Sequence, residues 1–191
     1  MKVGIVNCGG ANLNSIYYSL SRIGVKSIIS ASQEDLDATD YLILPGVGSA
    51  TVVMDHLKDN NLIDYIKYTR KPILGICIGM QILFEHSEEG DTDCLGLLDG
   101  MVKKFTPIMD EPVPQMGWNS VKWVSNYSHL DDYFYFANSY YVKTDDYEVG
   151  NSAYITDFSS VIKKNNITGC QFHPEKSSSA GEKFLKEFLK S

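Results

Sequence analysis

Hydrophobic positions fall into two regimes along the chain. Residues 1–6, 25–30, 41–45 and 72–76 are short apolar runs, with helix-spaced residues between them. The first run reads as a strand buried on both faces, and Gly9-Gly10-Ala11-Asn12 as a turn. Leu13, Ile16, Tyr17, Leu20 and Ile23 then recur at helical spacing as far as Gly24. A brief turn or helix is expected over 33–36, and helical spacing returns over 52–57 and 62–68. Strands buried on both faces and separated by helices are the signature of a parallel sheet. The expected fold is therefore α/β: a doubly wound, mostly parallel sheet flanked by helices, with sites at the carboxyl ends of the strands.

The pattern changes after residue 77. A helix is expected to run on through Phe84, followed by a polar exit loop at His86-Ser87-Glu88-Glu89-Gly90 and a turn-rich stretch over 95–100. Short strands are then expected at 102–105, 119–124, 133–137, 140–142, 152–155, 161–164 and 168–172, with Asn165-Asn166 as a hairpin turn, so the second half reads as largely antiparallel. Met116-Gly117-Trp118-Asn119 reads as a loop that offers a partner surface. The run Tyr133-Phe134-Tyr135-Phe136 reads as sheet packing. A last helix over 180–189 carries the apolar stripe Phe184, Leu185, Phe188 and Leu189.

Length and composition fit a single domain spanning 1–191, because 191 residues with 43% hydrophobic side chains can bury a sizeable core. The formal net charge of −7 comes with no basic cluster larger than a lysine pair, which argues against nucleic acid or an anionic membrane as partner. Cys8, Cys77, Cys94 and Cys170 show neither zinc-ligand spacing nor the density of a disulfide scaffold. No metal or cofactor is expected. With no signal-peptide pattern and no apolar run of about 18 residues, the expected location is the cytoplasm.

The candidate chemistry centres on Gly75-Ile76-Cys77-Ile78-Gly79, where an apolar strand turns into a helix and sets one cysteine at the tip of a nucleophile elbow. Glycines on either side allow close backbone approach. The helix start favours thiolate, and the N–H of Ile78 points where an oxyanion would form. Far along the chain, His173-Pro174-Glu175 supplies a base and an acid two residues apart, on one side of an extended segment. Pro45-Gly46-Val47-Gly48-Ser49 is read either as a plain strand-to-helix loop or as a source of a second oxyanion amide, from Val47 or Gly48. No dinucleotide or P-loop motif is present. His56 and His129 read as solvated surface residues, and His86, close in sequence to Cys77 but separated from it by the end of a helix, is a far weaker candidate for the base than His173. An elbow-type ester or peptide hydrolase is the rival enzyme class, but there the acid precedes the histidine in the chain, whereas Glu175 follows His173.

With these pieces placed, the chain resembles the class I glutamine amidotransferases, and within them the branch of glutaminase subunits that serve imidazole glycerol phosphate synthase in histidine biosynthesis. The resemblance rests on Gly75-Ile76-Cys77-Ile78-Gly79-Met80-Gln81, Pro45-Gly46-Val47-Gly48, Met116-Gly117-Trp118-Asn119, Ser139-Tyr140 and Gln171-Phe172-His173-Pro174-Glu175-Lys176-Ser177. It implies hydrolysis of glutamine through a Cys77 thioester, with His173 as acid and base and Glu175 orienting it. The amides of Val47, Gly48 and Ile78 would form the oxyanion hole, while Gly48, Gln81, Ser139 and Tyr140 would hold glutamine. It also implies a heterodimer with a (β/α)8-barrel synthase subunit, contacted through Asn12, Trp118, Tyr135 and Lys176, into which ammonia is channelled. The chain departs from the family pattern at Asn7 and Cys8, at Gln115 and at Asn138, the last two standing where the family has histidine. An alternative is therefore a paralogous subunit that supplies ammonia to another acceptor, such as an amidine-forming step on a cell-surface sugar.

Overall fold

The computed structural model describes residues 1–9, 13–46 and 48–190. The first half runs β1 (Lys2–Val6), α1 (Leu13–Arg22), β2 (Lys26–Ser30), α2 (Gln33–Asp37), β3 (Tyr41–Leu44), α3 (Ala50–Asp59), α4 (Leu62–Tyr68), β4 (Ile73–Ile76) and α5 (Ile78–Gln81). Next come β5 (His86–Ser87), β6 (Thr92–Asp93), β7 (Met101–Lys104), β8 (Gln115–Trp123), a 3-10 segment at Ser125–Leu130, β9 (Asp132–Asn138), β10 (Tyr140–Tyr141), β11 (Glu148–Ala153), β12 (Asp157–Lys164) and β13 (Ile167–Cys170). A 3-10 turn at Pro174–Lys176 leads into α6 (Ser178–Phe188).

Among the described residues, nine strands form one sheet in the order β2-β1-β3-β4-β13-β12-β11-β8-β9, and β10-β7-β5-β6 form a small second sheet. Strands β2, β1, β3, β4 and β13 are parallel, and from β13 to β9 every neighbour is antiparallel. Strand β13 is the joint between the two regimes. Its register pairs Cys170 with Ile76, and the N–H of Cys77 donates to the Cys170 carbonyl at 2.8 Å. Two stretches nearly a hundred positions apart in sequence therefore leave the sheet side by side at its carboxyl edge. Strands β4 and β13 are buried at every position, as their unbroken apolar or small character requires.

The hairpin turn expected at Asn165-Asn166 joins β12 to β13, with Asn165 at a φ of 53°. In the aromatic run of β9, Phe134 and Phe136 face the core while Tyr133 lies exposed on the other face. Phe134 stacks on Phe172 at 4.1 Å between ring centroids, and Phe172 meets Phe184 of α6 edge-on at 5.1 Å, tying the outer strands and last helix to the loop after β13.

Three sequence expectations are corrected. The helix after Cys77 stops at Gln81 rather than running through Phe84, because the Ile82, Leu83 and Phe84 carbonyls accept from the N–H groups of residues 95–98 instead of from a further helical turn. The polar exit loop contains a strand: His86 and Ser87 form β5, paired with β6 and β7. Met116-Gly117-Trp118-Asn119 is not a loop but part of β8, which starts at Gln115 and pairs with β9 from Gln115 to Val121. Long-range pairing of this kind is invisible to a local reading of glycine and proline.

Candidate active site

Cys77 occupies the turn between β4 and α5 with φ 54° and ψ −111°, a conformation that an L-residue adopts at a cost of about 1–3 kcal/mol. The turn is held from both sides. Its N–H remains in the sheet on Cys170, and its carbonyl accepts from Met80 at 3.0 Å and Gln81 at 3.1 Å. Tight backbone contact leaves no slack. A Cβ on Gly75 would stand 2.5 Å from the Gly79 carbonyl oxygen, and one on Gly79 would run into the carbonyl oxygen of Leu44. The glycines that flank the cysteine in sequence are thus required by packing, as the elbow reading expects. Ile78 opens α5, so its N–H has no intrahelical partner.

On the β13 side the chain turns away from the sheet after Cys170. The His173 N–H donates to the Tyr135 carbonyl of β9 at 2.8 Å, and Ser177 Oγ donates to the His173 carbonyl at 2.6 Å while accepting the Tyr135 N–H at 2.9 Å. Residues 174–176 form a 3-10 turn, so His173 and Glu175 meet through a tight turn started by Pro174, not by alternation along an extended segment. Nδ1 of His173 lies 2.9 Å from Oε1 of Glu175, which directs Nε2 to the cysteine side. Burial works against a charged imidazole, but hydrogen bonding and charge from Cys77 and Glu175 outweigh it and push the His173 pKa up to about 10. Thiol, imidazole and carboxylate are therefore brought together. Cys170, fully buried beside them, has its thiol pushed well up, by burial first and then by Glu175 and Cys77, and stays protonated.

Cys77 is only 5% exposed but opens into a pocket of about 230 Å³ whose wall includes Gly48, Ile78, Gln81, Ser139 and Tyr140, the residues named from sequence for substrate and oxyanion. Asn12 and Val47 lie outside the described residues. Glu89 also lines this pocket and had no role in the sequence reading. One oxygen of its carboxylate accepts the Ala50 N–H at 2.8 Å, and burial raises its pKa while that bond pulls the other way. Its signal was present, an acid in a polar stretch soon after the nucleophile, but only the β5–β6 excursion carries it back over Cys77.

Of the residues expected to face a partner, Trp118 and Tyr135 lie on the outer surface of β8 and β9, with Lys176 of the 3-10 turn beside them. Trp118 pairs in register with Tyr135 and meets it edge-on at 6.3 Å, and Lys176 Nζ sits 5.6 Å from the Tyr135 ring centre. Trp118 is 54% exposed and Met116 68%. On the inner face Gln115 and Asn138 are paired across the strands, both buried, each with a side-chain carbonyl oxygen that has no hydrogen-bond partner. The other histidines lie elsewhere: His86 bridges Asp91 and Asp93, and His129 faces Glu187. Among the described residues no cluster of three or more His, Cys, Asp or Glu side chains could hold a metal ion, and no helix is long and apolar enough to cross a membrane.

Residues 4–191 match the family model described as "Glutamine amidotransferase class-I". Among curated relatives, the chain is 42% identical over 194 residues to "Imidazole glycerol phosphate synthase subunit HisH" of Bacteroides fragilis, covering 99% of each chain. It is 40% identical over 192 residues to "Imidazole glycerol phosphate synthase subunit HisH 2" of Legionella pneumophila, covering 98% of this chain and 96% of that one. Among solved structures, one described as a glutamine amidotransferase superposes with a TM-score of 0.80 at 17% identity, covering 98% of this chain and 97% of the other. PurLQS from Thermotoga maritima superposes with a TM-score of 0.70 at 20% identity, covering 99% and 97%.

Proposed function

Because the chain belongs to the class-I glutamine amidotransferase family, we propose that it hydrolyses glutamine to glutamate and ammonia and passes the ammonia to a (β/α)8-barrel synthase subunit, as in imidazole glycerol phosphate synthase of histidine biosynthesis. The observation that carries the reading is the strained Cys77 beside the His173–Glu175 pair, on the floor of a pocket with a carboxylate at Glu89. In this reading Glu89 receives the α-ammonium group of glutamine, while Gln81, Ser139 and Tyr140 shape the rest of the pocket. The Cys77 thiolate adds to the carboxamide carbon, and the oxyanion is met by the N–H of Ile78 and of the Val47–Gly48 segment. The His173 imidazolium protonates the departing nitrogen, which leaves as ammonia and gives a thioester and a neutral imidazole. His173 then takes a proton from water, the resulting hydroxide attacks the thioester, and the thiolate leaves, restoring the starting pair.

Ammonia is protonated in bulk water near neutral pH and is then no nucleophile, so delivery needs a covered route. The exposed Trp118–Tyr135–Lys176 cluster adjoins the site through the Tyr135 backbone, which holds His173, and supports docking of the partner there as a cytoplasmic heterodimer. The purified chain should release glutamate slowly alone and much faster with its barrel subunit. Glutamate release at the wild-type rate by Cys77→Ala in that complex would refute the reading. A second reading, ammonia supply to a different acceptor such as a cell-surface sugar, is favoured by Gln115 and Asn138, two buried amides where the resemblance expects imidazoles. The mass of the aminated product formed with each candidate barrel subunit decides between them.

A further inference from the structure

One fully buried polar side chain has no part in the chemistry above. Gln171 follows β13 directly, and its backbone N–H donates to the Ser160 carbonyl at 2.9 Å. Its side-chain Nε2 donates toward Cys77 Sγ at 3.6 Å, and its Oε1 accepts from Gln81 Nε2 at 2.9 Å. The same Gln81 nitrogen donates to the Tyr140 carbonyl at 3.1 Å. An amide side chain has one donor end and one acceptor end. The Tyr140 carbonyl can only accept, so Gln81 must turn its nitrogen toward it. That nitrogen can only donate, so Gln171 must offer Gln81 its oxygen and the sulfur its N–H. The direction of the donor at Cys77 is set by a chain of bonds anchored on β10.

We propose that Gln171 is a hydrogen-bond donor to the Cys77 sulfur, aimed by Gln81, that holds the nucleophile as thiolate. The proposal deepens the glutaminase reading and rests on Cys77 being its nucleophile. A thiol sulfur is a weak acceptor and a thiolate a strong one, so an N–H fixed on it favours the charged form. The other groups around the sulfur are His173, whose imidazolium favours thiolate, Glu175 behind it, the protonated thiol of Cys170, and Glu89 on the pocket wall. The Ala137 carbonyl, 3.9 Å from Sγ, accepts from the thiol and opposes the thiolate. His173 gives up its proton when ammonia leaves and takes another from water before the thioester opens, whereas the Gln171 amide does not titrate. Its N–H is still in place when the thioester opens and sulfur departs with the electron pair.

The test is the rate of Cys77 alkylation by iodoacetamide in the full chain, followed by the mass of the Cys77 peptide across the pH range in which the thiol titrates. Gln171→Met removes the donor at nearly constant shape. Its midpoint should move up by about one pH unit, and kcat/KM for glutamine with the partner should fall about tenfold. Gln171→Leu also removes the donor and adds no charge beside the sulfur, so it should shift the same way, and it gives an answer if the Met variant does not fold. An unshifted midpoint in a folded variant overturns the proposal even if turnover falls, because the amide would then be packing only. Failure of the glutaminase reading is distinct: wild type that releases no glutamate with its partner refutes that reading and leaves the alkylation shift standing.

Discussion

His173 Nδ1 and Glu175 Oε1 lie 2.9 Å apart with both side chains almost sealed from solvent, at 7% and 2% exposure. The contact fixes the imidazole with Nε2 toward the thiol, and Glu175→Gln should lower glutamine turnover by roughly 10²–10⁴-fold by releasing that orientation. Its pH signature has a definite sign. The His173 pKa in the fold, about 10, lies above the 6.5 of a free imidazole, so folding favours the bound proton. The stabilisation is complete below about pH 6.5 and is lost as the pH rises toward 10. In Glu175→Gln the folded pKa falls, so the loss of stability, which starts near pH 6.5 in both proteins, should be smaller and should level off at lower pH than in wild type when denaturant midpoints are measured against pH.

The positive φ of Cys77 predicts a split between activity and stability. Cys77→Ala and Cys77→Gly should both abolish glutamate release. Alanine keeps the strained backbone, whereas glycine relieves about 1–3 kcal/mol of strain and gives back about 0.5–1 kcal/mol through a more flexible unfolded chain. Urea titration should therefore find the glycine variant more stable than the alanine variant by about 1 kcal/mol. Equal stabilities would mean that the elbow is unstrained.

Close backbone contact and backbone conformation can be separated with two glycines. A methyl group at Gly79 meets the Leu44 carbonyl, so Gly79→Ala should cost more than about 3 kcal/mol or prevent folding. Gly48 has φ 104° but open space around it, so Gly48→Ala should cost only about 1–2 kcal/mol. Chemical denaturation of both variants checks the contrast.

The outer cluster predicts a binding effect without a folding effect. Trp118→Ala should weaken association with the proposed barrel subunit by about 2 kcal/mol or more, and Lys176→Ala by less, while each changes stability of the isolated chain by no more than about 0.5 kcal/mol. Calorimetric titration with the partner, alongside thermal melts of the chain alone, reads both quantities. Unchanged affinity in Trp118→Ala would move the interface elsewhere.

Much of the site was legible in local sequence. Gly75, Cys77 and Gly79 are neighbours along the chain, and an apolar run ending in a small-residue turn carries its geometry with it. His173 and Glu175 are likewise close in sequence, although the 3-10 turn that joins them depends on Ser177 and Tyr135, residues that say nothing of it locally. The β8 edge was misread because Pro112, Pro114 and Gly117 signal a loop to any local reading. Pairing with β9 outweighs that signal once both strands are present.

The amino-acid order by itself determined the alternation of apolar runs and helices, the elbow at Cys77 and the chemistry available to His173 and Glu175, since these follow from side-chain type and short-range spacing. Only the tertiary structure decided that β13 lies parallel to β4, bringing residues 171–173 against the thiol, that Glu89 returns over the pocket, and that Gln81 and Gln171 align an N–H on sulfur. The physical reason is range. Propensity and periodicity act over a few residues, whereas sheet register and the direction of a buried hydrogen bond are set by partners far along the chain, and exist only after the core has closed around them.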